Sequence, residues 1–246
     1  MQRVELKIKY NRQLIPNIYE MCLEGDVSDI RQPGQFVNVA VDNLYLRRPL
    51  SVCDYNEHEL TLLYKVVGRG TTRLSLMHEG QEVDILSGLG NGFTMDVPYS
   101  NILLAGGGIG IAPLYKLAKE LKSRGKKLSV ALCFNTESEI FYDTAFKEIG
   151  LNDVYIVTVD GSRGHKGFVT DLIRQQQQRF GYFYACGPMP MLKALCQEVN
   201  CPGEVSLEAR MGCGFGICMG CSIETTKGSQ RICKEGPVFK KEDVVW

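Results

Sequence analysis

Four of the ten cysteines lie in one glycine-rich stretch near the C-terminus, Met211–Cys233, which reads MGCGFGICMGCSIETTKGSQRIC. Cys213, Cys218 and Cys221 form C-x4-C-x2-C, and Cys233 follows after eleven further residues. Thiolates at this spacing are the ligand pattern of a [2Fe-2S] cluster, a one-electron carrier. Gly212, Gly214, Gly216 and Gly220 alternate with the cysteines, which lets the backbone curl tightly and aim N–H groups at sulfur. Three other readings of the thiols compete. Structural zinc also takes four thiolates, but its usual signature is two well-separated C-x2-C pairs, and here three ligands crowd into nine residues. Disulfides need an oxidising compartment, whereas Met1–Tyr10 (MQRVELKIKY) carries charges every few positions and no apolar run of the signal-peptide kind. Cysteines packed as small hydrophobes leave the intervening glycines unexplained.

These thiols need a scaffold, and 246 residues are enough for two compact domains and a small appendage. Lys+Arg 28 against Asp+Glu 28 leaves a net charge of +0, so no global field recruits nucleic acid or an anionic membrane, and partners must be recognised by shaped sites. The one membrane-like stretch, Asn101–Leu117, has glycine and proline at its centre and contains Lys116; it reads as a strand, a turn and a helix start. A cytoplasmic protein is expected. The remaining cysteines, Cys22, Cys53, Cys133, Cys186, Cys196 and Cys201, are read as buried hydrophobes. His58, His78 and His165 form no ligand or triad pattern, and the Gln175–Gln178 tract carries no functional signal.

From Val4 to Leu86 short alternating or apolar runs (VELKIKY, IYEMCLE, QFVNVAV, RRPLSVCD, ELTLLYKV, EVDIL) are punctuated by turn residues, the pattern of a closed antiparallel barrel. A short helix is expected from Thr71 or Thr72 to His78. After Pro98 the period changes. Strands at Ile102–Ala105, Leu128–Phe134, Val154–Val159 and Tyr182–Ala185 alternate with helices at Ala112–Ser123 and Thr170–Gln177, which predicts an α/β parallel sheet.

Two groups of barrel residues could grip a phosphorylated ligand. Arg48-Pro49-Leu50-Ser51 offers a guanidinium and a hydroxyl at the head of a strand, and Gly68-Arg69-Gly70-Thr71 offers main-chain N–H groups before a helix. Exposure of the arginine and serine to solvent alone is an equally simple reading of the first group. In the second domain Gly106–Gly110 follows a strand as a dinucleotide turn does, with Pro113 where a third glycine would stand; simple strand–helix packing is the alternative. Asp160, at the end of the third strand, suits a free ribose hydroxyl and repels a 2′-phosphate, unless it only caps a turn.

The motifs RPLS (48–51), Leu63-Tyr64-Lys65, the Gly70-Thr71 pair and SGLGNGF (87–93) resemble the FAD-binding barrel of the ferredoxin-reductase superfamily. The resemblance implies FAD contacts at Arg48, Pro49, Leu50, Ser51, Leu63, Tyr64, Lys65, Gly70 and Thr71. G-x-G-x-x-P at Gly108, Gly110 and Pro113, with Ala185-Cys186-Gly187-Pro188-Met189, resembles the nicotinamide domain of the same superfamily. It implies NAD contacts at Gly108, Gly110, Asp160, Cys186, Gly187, Pro188 and Met189. NADP-specific relatives commonly carry a Ser-Arg pair where this chain has Asp160-Gly161-Ser162, so NAD is the expected nucleotide.

Taken whole, the order of parts and the wording SLEARMGCGFGICMGC…RICKEGPVF are similar to the electron-transfer subunits of class B, NAD-dependent dihydroorotate dehydrogenases. The expected domains are an FAD-binding β-barrel (1–97), an NAD-binding α/β domain (98–203) and a [2Fe-2S] tail (204–246) with Cys213, Cys218, Cys221 and Cys233 as metal ligands. The resemblance implies an FMN-containing catalytic subunit as partner, in a heterotetramer of two of each, with electrons passing from FMN through the cluster and FAD to NAD in pyrimidine biosynthesis. No candidate general base has an identifiable partner in the chain, so substrate chemistry belongs to that partner. A free-standing NADH reductase, a subunit of the sulfide dehydrogenase or ferredoxin-NADP transhydrogenase kind, and a zinc-stabilised binding module remain as alternatives.

Overall fold

The computed structural model describes residues 1–176 and 180–246. The chain forms two compact units, each assembled from two stretches: 1–92 with 208–238, and 93–207 with 239–246.

In the first unit six strands, β1 (Gln2–Ile15), β2 (Ile18–Glu24), β3 (Phe36–Val39), β4 (Arg48–Tyr55), β5 (Glu59–Lys65) and β6 (Glu82–Leu89), close an antiparallel barrel in the order β1-β2-β5-β4-β3-β6. Alternation sets which residues face inward: Val83 and Ile85 of β6 are buried while Glu82 is exposed, and they meet Leu6, Leu23, Val37 and Leu62 in one core. The helix α1 spans Arg69–Ser75, starting and ending about three residues earlier than expected. Thr71 is the reason. Its hydroxyl accepts the N–H groups of Val67 (2.9 Å) and Gly68 (3.3 Å) and donates to the Gly68 carbonyl, so the side chain caps the helix from within its first turn.

The second unit carries β7 (Asn101–Gly107), α2 (Ala112–Ser123), β8 (Lys127–Phe134), α3 (Asp143–Glu148), β9 (Asp153–Thr158), β10 (His165–Lys166), α4 (Val169–Gln176), β11 (Tyr182–Cys186), α5 (Met189–Glu198) and β12 (Gly203–Ser206). The expected end of α4 at Gln177, and part of the glutamine tract, lie outside the described residues. Strands β7 and β11 are buried almost throughout because a parallel sheet is covered on both faces, which is why their sequences are continuous apolar runs. The sheet order is β10-β9-β8-β7-β11-β12, completed by a C-terminal edge strand introduced below. The winding direction reverses between β7 and β11, so the carboxyl ends of these two strands mark the crevice position that ligands usually take in such sheets. Glu204 on β12 is 4% exposed and accepts the Thr94 N–H at 2.9 Å; burial pushes its carboxyl up, against the pull of Thr94.

The last 39 residues are shared between the units. The cysteine stretch and the hairpin of β13 (Ser222–Thr225) and β14 (Gly228–Arg231) group with the barrel, while β15 (Val238–Lys240) forms the outer edge of the parallel sheet. Within the segment expected at 204–246, residues 208–238 group with the barrel strands. Asn91 donates to the carbonyls of Glu235 and Val238 (2.9 Å each) and accepts the Val238 N–H at 3.0 Å. Among the described residues no helix is long and apolar enough to cross a membrane.

Candidate functional site

Register places the barrel motif. Asn38 pairs with Pro49 and Phe36 with Ser51, so these four side chains share the outer face of the β3–β4 ribbon, while Leu50, opposite Val37, packs on the core. The preceding arginine, Arg47, donates from Nη2 to both carboxylate oxygens of Asp84 (2.8 Å each) and from Nη1 to the carbonyls of Asn38 and Asp84. Burial pushes the Asp84 carboxyl up, but hydrogen bonds from Arg3 and Arg47 outweigh it and hold the group below its ordinary value. Arg47 thus anchors the strand start, and Arg48 is left half-buried with its guanidinium bonded to the Leu46 carbonyl. That guanidinium lies directly on Gly70, where a Cβ would come within 1.9 Å of Arg48 Nε. The two halves of the motif, far apart in sequence, are therefore in contact.

The Leu63-Tyr64-Lys65 stretch is positioned differently. Leu63 and Tyr64 are buried, and the Tyr64 ring stacks on Tyr19 at 5.6 Å with its hydroxyl donating to Asn11 at 2.8 Å. Burial pushes the Tyr64 phenol up, so it stays protonated. Of this stretch only Lys65 is exposed.

In the second unit β7 runs into a tight 3-10 turn, Gly108–Ile111, and then α2. The end of β11 pairs with β7, Cys186 opposite Gly106, and α5 begins immediately after Pro188. The glycine turn and the Cys186–Met189 stretch meet so closely that a Cβ on Gly110 would sit 2.5 Å from the Cys186 carbonyl oxygen. Pro188 and Met189 are exposed beside this junction. Asp160 is also exposed, at the carboxyl end of β9, but its Oδ1 accepts the Ser162 N–H (2.9 Å) and hydroxyl (2.6 Å). These bonds hold its carboxyl below the ordinary value. The serine in turn accepts the Glu137 N–H at 2.7 Å, so Asp160 ties a turn at the carboxyl end of β9.

The four thiols of the cysteine stretch fall into two pairs. Cys218 N–H and Ile217 N–H point at Cys213 Sγ (3.4 and 3.3 Å), Cys213 N–H points at Cys218 Sγ (3.4 Å), and Cys233 N–H points at Cys221 Sγ (3.4 Å). Burial pushes the Cys213 thiol up, but the N–H groups of Cys218, Phe215 and Ile217 overcome it and hold the group at about 6. Cys233, buried beside Cys221, is pushed up to about 12. Among the described residues no three Cys, His, Asp or Glu side chains converge on one point as a single ion requires. Four thiols with N–H groups aimed at the sulfurs of Cys213, Cys218 and Cys221 are a donor set that would suit an iron-sulfur cluster, where such donors stabilise negative sulfur. Arg231 braces this arrangement: it donates to the Gly216 carbonyl and makes a bidentate pair with Glu235, whose carboxyl it holds at about 2. Between the thiols Ile217 and Met219 stand exposed, with Phe215 at the margin. Of the other six cysteines, Cys22, Cys53 and Cys186 are buried, and Cys133, Cys196 and Cys201 only partly so.

Residues 208–245 match the family model described as the iron-sulfur cluster binding domain of dihydroorotate dehydrogenase B, and residues 104–197 match the oxidoreductase NAD-binding domain. The chain is 44% identical to the dihydroorotate dehydrogenase B (NAD(+)) electron transfer subunit of Geobacillus sp. (strain WCH70), covering 100% of this chain and 99% of that one. It is 42% identical to the subunit of the same name from Lysinibacillus sphaericus (strain C3-41), covering 99% of each. The chain belongs to the electron-transfer subunit family of dihydroorotate dehydrogenase B. Among solved structures, an NADH-dependent reduced ferredoxin-NADP oxidoreductase studied for flavin-based electron bifurcation superposes with a TM-score of 0.89 at 33% identity, over 98% of this chain and 90% of that one. Phthalate dioxygenase reductase, at 19% identity and a TM-score of 0.66 over 94% of each chain, shares the fold. Within this family frame, Arg47, Asn91 and Arg231 are supports that sequence reasoning did not single out. Arg47 adjoins a recognisable motif, yet nothing in the sequence pairs it with Asp84, 37 positions away.

Proposed function

We propose that this chain, as the electron-transfer subunit of an NAD-dependent dihydroorotate dehydrogenase, passes electrons from a dihydroorotate-oxidising catalytic subunit through a [2Fe-2S] cluster and FAD to NAD+. The observation that carries the reading is the pairing of four thiols in a stretch that matches the family's cluster-binding model. A bound flavin supplies the exchange between the two-electron chemistry of a nicotinamide and the one-electron chemistry of a cluster.

The chain's own residues bind and orient. Cys213, Cys218, Cys221 and Cys233 would hold the cluster, and the N–H groups aimed at their sulfurs would stabilise the thiolates. Arg48, Ser51 and the turn organised by Gly70 and Thr71 would hold the FAD diphosphate and ring edge, with Pro49, Leu50 and Lys65 alongside and the buried Leu63 and Tyr64 supporting them. Gly108 and Gly110 let the NAD pyrophosphate approach the turn before α2, and Cys186, Gly187, Pro188 and Met189 border the nicotinamide. Asp160 accepts from the adenosine ribose through the carboxylate oxygen that Ser162 leaves free. Substrate acid–base chemistry stays with the FMN-containing partner, two of each subunit assembling in the cytoplasm, and the apolar side chains of Ile217 and Met219 are covered in that complex.

Co-expression with the catalytic subunit tests the reading. Expected are co-elution on size exclusion, two irons and one FAD per chain, and dihydroorotate-dependent reduction of NAD+. One zinc per chain with no visible spectrum would favour a binding module. Separate elution with intact NADH–ferredoxin activity would favour a free-standing reductase, the reading suggested by the likeness to the NADH-dependent reduced ferredoxin-NADP oxidoreductase.

A further inference from the structure

Asn38 lies in the middle of β3 and is 1% exposed, with Pro49 as its register partner across the ribbon. Few strand positions are less suited to an amide, because its Oδ1 is buried with no hydrogen-bond partner. An apolar residue of similar size would fill the same space without leaving an acceptor unpaired. What the amide gains is on its other end. Nδ2 donates to the carbonyl oxygen of Cys213 at 3.1 Å, 175 positions away in sequence. The carboxamide also presses on the next residue, Gly214, where φ is +75° and a Cβ would come within 1.9 Å of Nδ2. Any other residue at 214 would be both strained and in collision.

We propose that Asn38 is a positioning residue for the cluster, holding the Cys213–Gly214 turn against the strand ribbon that carries the Arg48–Ser51 motif and directing the positive end of its amide dipole toward Cys213. Three features converge on this assignment: a donor aimed at a ligand residue, a glycine that admits the donor, and an acceptor left unsatisfied to keep the donor oriented. Donors directed at a cluster and its ligands favour the reduced, more negative state, so Asn38 raises the cluster potential. The same contact fixes where the Cys213–Gly214 turn stands relative to Pro49 and Ser51 on the outer face of the ribbon. The inference rests on Cys213 being a cluster ligand.

The test is a redox titration of the holo-complex followed by electron paramagnetic resonance, on wild type, Asn38→Leu and Asn38→Asp. Leu keeps the branched shape and loses the donor; Asp, buried with no cation beside it, is neutral, can donate to the same carbonyl and serves as the conservative control. The expected midpoint potential falls in Leu and stays nearer wild type in Asp, with altered g-values and coupled dihydroorotate-to-NAD turnover lower by about tenfold in Leu, as for other outer-sphere partners of metal sites. Unchanged potential and g-values in Asn38→Leu, even with a lowered melting temperature, would show that the contact only stabilises the fold and would overturn the proposal. Should neither variant accumulate, Asn38→Ser, which is smaller and introduces no collision, carries the same comparison, with a lower potential expected and an unchanged one again decisive against. Wild-type complex lacking two irons per chain would remove the underlying ligand assignment as well, a result distinct from an unchanged potential in an iron-loaded variant.

Discussion

The cysteine stretch and the crevice at β7 and β11 are kept in shape by different forces. The first has almost no regular structure between Glu208 and Cys221, exposes Ile217 and Met219, and is held by N–H groups aimed at sulfur plus a few long-range tethers from Asn38, Asn91 and Arg231. The second is the rim of a sheet whose strands are buried almost without interruption, so that the glycine turn and Cys186 meet because the strands behind them can pack in only one way. A site made of local hydrogen bonds around ligand atoms depends on its metal to stay closed, since metal binding and folding are linked. One made by buried strand ends stands ready before any nucleotide arrives.

The sharpest break in this comparison comes from Cys218→Ser. Removing a ligand should abolish the cluster and the coupled dihydroorotate-to-NAD reaction, while NADH still reduces an artificial dye through the FAD and nucleotide sites. Iron content, dye reduction and coupled turnover measured on one preparation check it, with co-elution of the catalytic subunit as the control for a collapsed stretch. Coupled turnover at the wild-type rate without iron would show that electrons take another path.

The converse damage comes from Gly110→Ala. Its Cβ has 2.5 Å to the Cys186 carbonyl, a backbone atom that cannot swing away, so the turn or the strand must move. The expected penalty is about 1–3 kcal/mol of stability, as for other overpacked interiors. Slower reduction of FAD by NADH should accompany it, with iron and FAD content unchanged. Urea unfolding and stopped-flow reduction report the two effects; loss of iron instead would contradict the separation drawn between the regions.

Nucleotide choice is a smaller effect confined to the crevice edge. If Asp160 takes the ribose as proposed, with Ser162 donating to Asp160 and the following Arg163 paired with Asp143, NADH should exceed NADPH in kcat/KM by roughly ten- to a hundredfold, the value of one charge-assisted contact. Steady-state kinetics with both nucleotides decides it, and parity would remove Asp160 from the site.

The smallest effect belongs to the barrel that carries the cysteine stretch. Asp84 is held below its ordinary value by Arg3 and Arg47, so its contribution is fully present above about pH 4 and is lost as the pH falls through its lowered folded-state value. Asp84→Asn should therefore melt below wild type at pH 7, and the gap should narrow on acidification. A gap that widened in acid would mean that the carboxylate opposes folding.

Much of the architecture was legible in advance because period and composition are local properties. The bounds of β2 and α2 follow directly from IYEMCLE and from the amphipathic run closed by Gly125, and the apolar runs of β7 and β8 announce a parallel sheet. Elements set by long-range partners were not legible. Neither β12 nor β15 has enough apolar pattern to stand out, and each exists because a sheet edge awaited it. The α1 boundary moved because a single threonine hydroxyl caps the turn from within the helix. Tyr64 stands in a motif whose resemblance implies FAD contact, and the sequence does not show that the barrel core takes its ring and Asn11 accepts from its hydroxyl.

By itself the sequence determined the chemistry: four thiols at a cluster spacing, a flavin motif and a glycine turn are carried by residue type and separation, which survive without coordinates. Tertiary structure alone decided which groups support that chemistry. Arg47 rather than Arg48 binds Asp84, Gly70 lies beneath the Arg48 guanidinium, and Asn38 reaches Cys213 across 175 positions. The physical reason is that a side chain's direction depends on strand register and on which neighbour fills the adjoining space, and both are settled only when distant segments pack together.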